Sequence, residues 1–428
     1  GWEWGLGGRA RGQSSDECAV VGNVGIAEVS RASLETSLEQ RLEDLPGQRW
    51  RRRAQKGAQA IRLRCAVGKE PVCVDIDPEV VEKVCERAVA EVQDVARGRP
   101  ENAVDDAQEL TDVGQELARL ANRHAPELKT HDRFGNRIDL VKYHPSYHRF
   151  MQTAVEHGLH SSPWTGPRSG AHVARAAGSY LHSQVEAGHG CPITMTFAAV
   201  PTLRLQPELA ALWEPKITAR VYDPRNVPVA DKQGLTIGMA MTEKQGGSDV
   251  RSNSTHAYPL GQEGPGKAYE LVGHKYFVSA PMCDAFLVLA QSRGGLSCFL
   301  LPRWRPDGSK NPMQILRLKK KMGNASNASS ETELRGALAW MVGEEGRGVR
   351  NIIEMVSMTR FDCMVGSSSG MRMAVSQALH HCAHRSAFGA LLTQQPLMQN
   401  VLADLALESE AAMTLTMRVA RALDHRDN

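Results

Sequence analysis

The chain has 428 residues, of which 42% are hydrophobic, and this length allows two or three domains with a buried core. The formal net charge is +3, which is too close to neutral to indicate nucleic-acid binding by itself. No apolar run approaches the roughly 18–20 residues that a membrane-spanning helix needs. The nine cysteines include no Cys-x-x-Cys pair, which argues against a zinc ribbon or a disulfide scaffold and favours a reducing compartment.

The first 75 residues carry a basic cluster but little periodic pattern. Seven basic residues surround Trp50: Arg49, Arg51, Arg52, Arg53, Lys56, Arg62 and Arg64. Such a cluster is typical of an arm that binds nucleic acid or an acidic surface, but it is also typical of a solvated tail. We favour the solvated tail. We expect residues 1–75 to be a poorly ordered basic segment. Because no clear targeting signal precedes it, we expect a cytoplasmic or mitochondrial protein.

Residues 76–230 show the 3.6-residue period of helices. A helix is predicted to begin after Asp77 and Pro78, where an aspartate can cap and a proline suits the first turn. Further helices are predicted to begin near Thr111, at Pro145, at His172 and at Pro192. Glycines at positions 158, 188 and 190 end or interrupt the helical pattern. The pattern predicts an all-helical N-terminal domain over residues 76–230.

Residues 231–345 change to the two-residue period of strands. Short alternating runs are separated by glycine-rich turns at 261–266 and 294–295. This pattern predicts a middle β-barrel or sandwich domain of about a hundred residues.

From residue 346 to residue 428 the helical period returns in two long runs. A bundle normally has four helices, so we expect only the first half of a C-terminal helical bundle in this chain. The predicted fold class is therefore an α+β multidomain protein with helices, then a β domain, then helices.

The most informative stretch is Ile237–Ser252. An apolar run enters a turn that holds Thr242, Glu243, two glycines and Ser248. Glycine lets a backbone approach a flat or anionic ligand, and hydroxyls can donate hydrogen bonds to its ring. An ordinary Gly-Gly turn between strands uses the same residues, so this pattern alone leaves both readings open.

Residues Ala240–Ser252, with the sequence AMTEKQGGSDVRS, resemble the first signature of the acyl-CoA dehydrogenase family. The segments LVGHKYF, GGLSCFLLPR and MTRFDC are similar to its AidB-like, adaptive-response branch. The resemblance covers about residues 111–422. It implies a flavoprotein that binds FAD, removes two hydrogens from an acyl-CoA thioester, and forms a homo-oligomer. The helix–β–helix order of the family agrees with the pattern.

The resemblance also implies a flavin slot on two segments of the β domain. Its expected residues are Met239, Met241, Thr242, Gly247, Ser248, Phe277, Val278 and Ser279. Phe277 stands where the family has a tryptophan against the flavin, and Ser279 where it has a threonine. Phe277 is alternatively an ordinary residue of a strand core, and we favour the flavin contact.

Two later segments resemble parts of the family's cofactor and substrate sites. Arg385 and Phe388 match the Arg-x-x-Phe-Gly segment, which in the family reaches the FAD of a neighbouring subunit. Pro396 stands where the family has a glutamine, which weakens the implied adenine contacts. Arg360 lies 25 residues before Arg385 and stands where the family has an arginine near the acyl-CoA. A surface ion pair on a helix is an equal alternative for Arg360.

No catalytic residue is assigned from the sequence. In the family the base is a glutamate late in the helical bundle or, in a minority, beside the arginine that Arg360 matches. That second position is Thr359 here, and a hydroxyl is not a base at neutral pH. His380 and His384 share a helical face without a carboxylate nearby, so we expect a surface helix and no metal site.

Two other functions remain open at this stage. An AidB-like flavoprotein could protect or bind DNA with little dehydrogenase turnover. The segments that resemble the AidB-like branch and the basic cluster at 49–64 favour this function. An acyl-CoA oxidase would differ only in using oxygen to reoxidise the flavin.

Overall fold

The computed structural model describes residues 17–20, 27–30, 61–67, 70–76 and 105–426, with side chains from residue 114 to residue 425. The chain divides into two compact units: residues 1–97 with 381–411, and residues 98–380 with 412–428. Within the described residues, no helix is both long enough and apolar enough to cross a membrane. The helix predicted from Asp77, and most of the segment predicted to be poorly ordered, lie outside the described residues.

Among the described residues, the first unit contains three small antiparallel pairs of strands. They are β1 (Glu17–Val20) with β2 (Ala27–Ser30), β3 (Ile61–Val67) with β4 (Glu70–Ile76), and a short pair after residue 385 that is described below. No strand was predicted from the sequence in residues 1–75.

Six helices in the second unit precede its barrel. They are α1 (Asp105–Arg123), α2 (Pro145–Glu156), α3 (Ser162–Thr165), α4 (Ala171–Val185), α5 (Gly190–Leu203) and α6 (Pro207–Ile217). In α2 the cap His144 accepts a hydrogen bond from the Ser146 backbone N–H, and Pro145 occupies the first turn. The apolar face of α2, which includes Tyr147 and Met151, packs into a buried cluster with residues of α1 and α5.

The prediction that residues 76–230 are entirely helical is wrong. Strands β5 (Glu127–His131) and β6 (Arg137–Lys142) form an antiparallel hairpin between α1 and α2. The alternating residues Leu128 and Val141 turn inward and pack against Ile315 and Ala328 of the barrel region. A two-residue period is the signature of a half-buried strand, and here that burial is supplied by residues distant in the sequence.

The β domain, which the sequence predicted to be a barrel or a sandwich, is a closed barrel. Its strands are β7 (Ile237–Ala240), β8 (His256–Pro259), β9 (Ala268–Ser279), β10 (Ala285–Ser292), β11 (Gly295–Pro302), β12 (Met313–Leu318) and β13 (Ser329–Val342). Five of them form a ring in the order β11-β10-β8-β9-β13, which closes because β13 pairs with β11. Strand β7 pairs in parallel with the first half of β10, and β12 pairs with β13.

Two long helices follow the barrel, α7 (Gly348–His384) and α8 (Pro396–Arg426), joined by the hairpin of β14 (Ser386–Ala387) and β15 (Ala390–Leu391). Helix α7 is fixed to α4 by a buried ion pair in which Arg175 meets Asp362 through two hydrogen bonds of 2.6 Å. The Arg175 guanidinium also lies over the Phe197 ring, 3.4 Å from its centroid. In the C-terminal part of α8, Asp424 accepts the backbone N–H of His172 and so caps the first turn of α4.

A buried polar network holds the loop between α4 and α5. The Glu186 carboxylate accepts hydrogen bonds from the Asn122 amide, the Ser326 hydroxyl and the Gly188 N–H, at 2.6–3.1 Å. It also contacts His189 Nδ1 at 2.7 Å. Burial raises the pKa of Glu186, but the contacts with His189 and Ser326 outweigh it and hold this pKa at about 2. The loop therefore carries a fully partnered charge.

Candidate flavin site

The glycine-rich stretch forms a tight turn directly after β7. The Gly246 N–H donates to the Glu243 carbonyl at 3.0 Å, and Gly246 has a φ of +121°, which favours glycine. A Cβ placed on Gly247 would lie 3.0 Å from the Thr242 Oγ1, closer than ordinary packing allows. The backbone of the turn thus favours glycine at position 246, whereas a side chain at position 247 would have to displace the Thr242 hydroxyl; the Gly247 backbone is exposed.

The buried carboxylate of Glu243 fixes this turn. Its carboxylate is 2% exposed and accepts the backbone N–H and hydroxyl groups of Ser254 and Thr255 at 2.6–3.0 Å. The Lys275 Nζ donates to it at 2.9 Å and also to the Leu289 carbonyl. Every oxygen lone pair that faces the protein is therefore engaged, and Glu243 is a structural carboxylate rather than an accessible one.

The charges of this pair follow from its surroundings. Burial by itself raises the pKa of Glu243, but the Thr255 hydrogen bond and the Lys275 charge outweigh it and lower this pKa to about 2. Burial lowers the pKa of Lys275 to about 8, although the Glu243 charge opposes that shift. Both groups are charged at neutral pH. Lys275, in an otherwise largely apolar strand segment, is a residue whose role the sequence analysis missed.

The turn also carries two hydroxyl groups that make no hydrogen bond within the described structure. The hydroxyls of Thr242 and Ser248 make no hydrogen bond to any residue that the structure describes. Met239 and Met241, on either side of Ala240, are half-buried. A half-open apolar surface with free hydroxyl donors is what a flat heteroaromatic ligand requires.

Strand β9 brings the second predicted segment to the same place. The Tyr276 N–H donates to the Thr242 carbonyl at 3.0 Å, which joins β9 to the turn. Tyr276 and Phe277 lie together opposite Glu331 of β13, because the register shifts between Ser330 and Thr332. This bulge leaves the Phe277 side chain 42% exposed next to the turn. The alternative that Phe277 is an ordinary core residue does not fit this exposure.

The next two residues of β9 differ in what they can offer. Val278 is 1% exposed, so its side chain belongs to the barrel core and only its backbone is left for a ligand. The Ser279 hydroxyl is half-buried and lies 3.2 Å from the Ser329 hydroxyl. Lys319, which the sequence analysis did not single out, places its Nζ 4.6 Å from the centre of the Phe277 ring.

Arg360 lies on α7 as an exposed side chain. It makes no ion pair with any described residue, so the surface ion pair that the sequence left open is not seen there. The neighbouring Thr359 hydroxyl donates to the Val356 carbonyl at 2.9 Å, within the helix. Two residues further on, Asp362 is held by Arg175, which anchors this turn of the helix. Arg360 is therefore an exposed positive charge on a helix turn that the Arg175–Asp362 ion pair holds in place.

Arg385 and Phe388 belong to the first compact unit and form a feature of their own. The hairpin β14–β15 places Phe388 at its tip with a φ of +53° and a fully exposed ring. The Gln395 side chain donates to the Ala387 carbonyl, and Gln394 accepts the Leu391 N–H, so both glutamines support the hairpin itself. Phe388 thus presents its whole ring at the surface of the described residues.

Comparison with known proteins agrees with this architecture. Three family models match in succession: the adaptive response protein AidB N-terminal domain at residues 83–224, the acyl-CoA dehydrogenase middle domain at 238–337, and the acyl-CoA dehydrogenase C-terminal domain at 346–428. AidB of Escherichia coli is 49% identical over 331 residues, which are 75% of this chain and 60% of that protein. Acyl-CoA dehydrogenase family member 11 of Caenorhabditis elegans is 31% identical over 73% of this chain and 52% of that protein.

A solved structure shows the same fold. The crystal structure of Caenorhabditis elegans ACDH-11 in complex with C11-CoA superposes with a TM-score of 0.68 at 28% identity, over 82% of this chain and 60% of that one. The chain thus spans between about half and 60% of the length of these relatives. With its three consecutive domains, its closed barrel and its glycine turn, this chain belongs to the acyl-CoA dehydrogenase family, in the AidB-like branch.

Proposed function

We propose that this protein binds FAD at the turn of Thr242–Ser248 and at Phe277, and oxidises an acyl-CoA thioester between its α and β carbons. The observation that carries the proposal is the pair of free hydroxyls, Thr242 and Ser248, beside the exposed Phe277 ring. When bound, the flavin would supply the acceptor for the hydride that leaves the β-carbon, and the reaction also needs a base for the α-proton, a role that none of the residues proposed for this site fills.

The residues present fit that cofactor. A Cβ at position 247 would fill the space beside Thr242 into which a ring can approach, and the two hydroxyls lack partners among the described residues. Phe277 offers an apolar face of the kind against which an aromatic ring stacks. The backbone of Val278 and the Ser279 hydroxyl complete the proposed set, together with Met239 and Met241.

The test is flavin retention. Replacing Thr242 and Ser248 together with alanine removes both free donors and leaves the Glu243 network intact. We expect the visible flavin absorbance of the purified double variant to fall severalfold, because each lost hydrogen bond costs about 1 kcal/mol. Ser252→Ala is the matched control, since that hydroxyl donates to the Asp249 carbonyl in the same loop. Unchanged flavin content in the double variant would contradict the assignment of these residues.

We propose that Arg360 contacts the acyl-CoA. Its exposed guanidinium has no carboxylate partner among the described residues, which leaves its charge available to an anion. Arg360→Ala is expected to raise the concentration of acyl-CoA needed to bleach the flavin without oxygen, with flavin content unchanged. Bleaching at wild-type concentrations would remove Arg360 from the site. Oxygen consumption with an acyl-CoA would indicate an oxidase instead.

We also propose that Arg385 and Phe388 reach the cofactor of a neighbouring copy, so that the protein works as a homo-oligomer. The exposed ring of Phe388 at the hairpin tip supports this. Analytical ultracentrifugation would show a dimer or larger assembly, and Arg385→Ala would lower its flavin content. A monomer that retains full flavin would refute this proposal.

Nucleic-acid protection is the second candidate function. The observation that favours it is the match of residues 83–224 to the adaptive response protein AidB domain. The side chains of the basic cluster at 49–64 lie outside the described residues, so they add no structural support. Salt-sensitive retention on a DNA column would support this role, because phosphate contacts weaken steeply as salt rises. Lack of retention at low salt would count against it.

A further inference from the structure

A cavity of about 280 Å³ lies in the second unit, between β6, α2 and the segments that flank β7 and β9. Its lining includes Tyr143, Tyr147, Tyr222, Lys232 and Met282. This volume is close to the lower end of small-molecule sites, which enclose about 300–1,000 Å³. None of the residues proposed for the flavin lines it, so the cavity is a separate feature.

Aromatic rings form much of the wall. Tyr143 and Tyr147 stack with their ring centres 4.3 Å apart, and His148 meets both of them edge-on at about 6 Å. His148 Nδ1 lies 2.7 Å from the Tyr222 hydroxyl. Burial raises the pKa of Tyr222 and lowers that of His148, so this pair is neutral at pH 7. Flat, uncharged walls of this kind suit a flat ligand.

The cavity contains hydrogen-bond donors that the fold does not use. Tyr147 is 4% exposed, yet its hydroxyl makes no hydrogen bond to a described residue and is not sealed from water. The same holds for the half-buried Tyr143. Lys232 gives one N–H to Asp284 at 2.7 Å and has two more without a partner among the described residues. Each of these donors is available to an acceptor that enters the cavity.

Two charged residues of the lining already have a partner of opposite charge: Lys232 pairs with Asp284, and Asp223 pairs with Arg225. The Asp223 carboxylate is neutralised by Arg225 at 2.6 Å and accepts the Gln233 N–H, so it has little left for a ligand. Lys142 lines the cavity on its exposed side, and the nearby Lys129 lowers the pKa of Lys142. Lys142 makes no ion pair with a described residue, so its charge is available to an anion.

We propose that this cavity is a binding site for a small monocyclic aromatic carboxylate. The ring lies against the stacked tyrosines, and the carboxylate accepts the hydroxyls of Tyr143 and Tyr147 and a free N–H of Lys232. The site does not depend on the flavin assignment, because it shares no residue with it.

The test uses benzoate as the probe on the full chain, with ligand-observed saturation-transfer NMR and a titration for the dissociation constant. We expect wild-type protein to bind benzoate, and the double variant Tyr143→Phe with Tyr147→Phe to bind it about tenfold more weakly, since both rings stay and both donors go. Tyr258→Phe, which removes an exposed hydroxyl on β8, is the matched control and keeps wild-type affinity.

Further probes separate the two features of the proposed ligand. Benzyl alcohol lacks the charge and cyclohexanecarboxylate lacks the flat ring, and each is expected to bind more weakly than benzoate. Leu140→Trp, which fills the cavity from β6, abolishes binding, with circular dichroism confirming that the variant folds. The proposal is overturned if millimolar benzoate gives no signal, or if the tyrosine variants bind it as the wild-type protein does. Either result leaves the flavin absorbance assay unaffected.

Discussion

Replacing Glu243 with glutamine tests how the chain holds the glycine-rich turn after β7. The change keeps the size of the side chain but removes the charge, and it leaves the Lys275 ammonium buried without its counter-ion. Breaking a buried pair from one side costs about 3–5 kcal/mol. The pKa leads to a similar figure, because lowering it from 4.5 to about 2 corresponds to about 3 kcal/mol of folding free energy. We expect urea unfolding at pH 7 to show this loss, together with lower flavin retention.

The sign of the pH dependence follows from the same pKa. Because the pKa of Glu243 is lower in the folded state, its contribution is complete above about pH 4.5 and is lost as the pH falls towards 2. Glu333→Gln is the control, since the Glu333–Arg335 pair is exposed and worth less than about 1 kcal/mol. Adding Lys275→Met to Glu243→Gln should restore part of the stability, because no charge is then left buried. A loss in Glu243→Gln no larger than in the control would refute the reasoning.

Three further predictions concern the packing of the second unit. Asp362→Asn leaves a buried guanidinium without its counter-charge, so we expect urea unfolding to show a loss of about 3 kcal/mol or more; an unchanged midpoint would contradict this. Gly188→Ala would bring a Cβ to 2.0 Å from the Ser326 hydroxyl oxygen and should lower the melting temperature. Gly190→Ala is the control: its Cβ meets nothing within 4 Å, so its melting temperature should fall less than that of Gly188→Ala. Burial lowers the pKa of His160 to about 4, so the unfolded state binds a proton at a higher pH than the folded state does, and stability falls as the pH drops from 6.5 to 4. His160→Gln should flatten that slope of stability against pH. An equally steep slope in the variant would exclude His160 as its source.

The features that the sequence predicts well are those encoded by neighbouring residues. The starts of helices at Pro145 and near His172, and the strand that leads into Thr242, each depend on a local period and a local cap or turn. The prediction of a middle β domain succeeded for the same reason, because alternating runs such as β9 and β13 carry their own pattern. The turn itself was identified because two adjacent glycines restrict the backbone that can form there.

The hairpin β5–β6 was missed within a domain predicted to be entirely helical. Its residues alternate, but only the contact of Leu128 and Val141 with Ile315 and Ala328 gives that alternation a buried side. A strand pattern of five or six residues is weak evidence without knowledge of what covers it.

Local sequence patterns predicted the order of helices, a β domain and helices, and they identified the glycine-rich turn after β7. Only the tertiary structure showed that Glu243 is buried against Lys275, 32 residues away, and that Val278 faces the core while Phe277 faces outward. The cavity behind Tyr147 was equally invisible to the sequence. Burial and ion pairing arise between residues far apart in the chain, and no local pattern specifies which distant side chain will supply the partner.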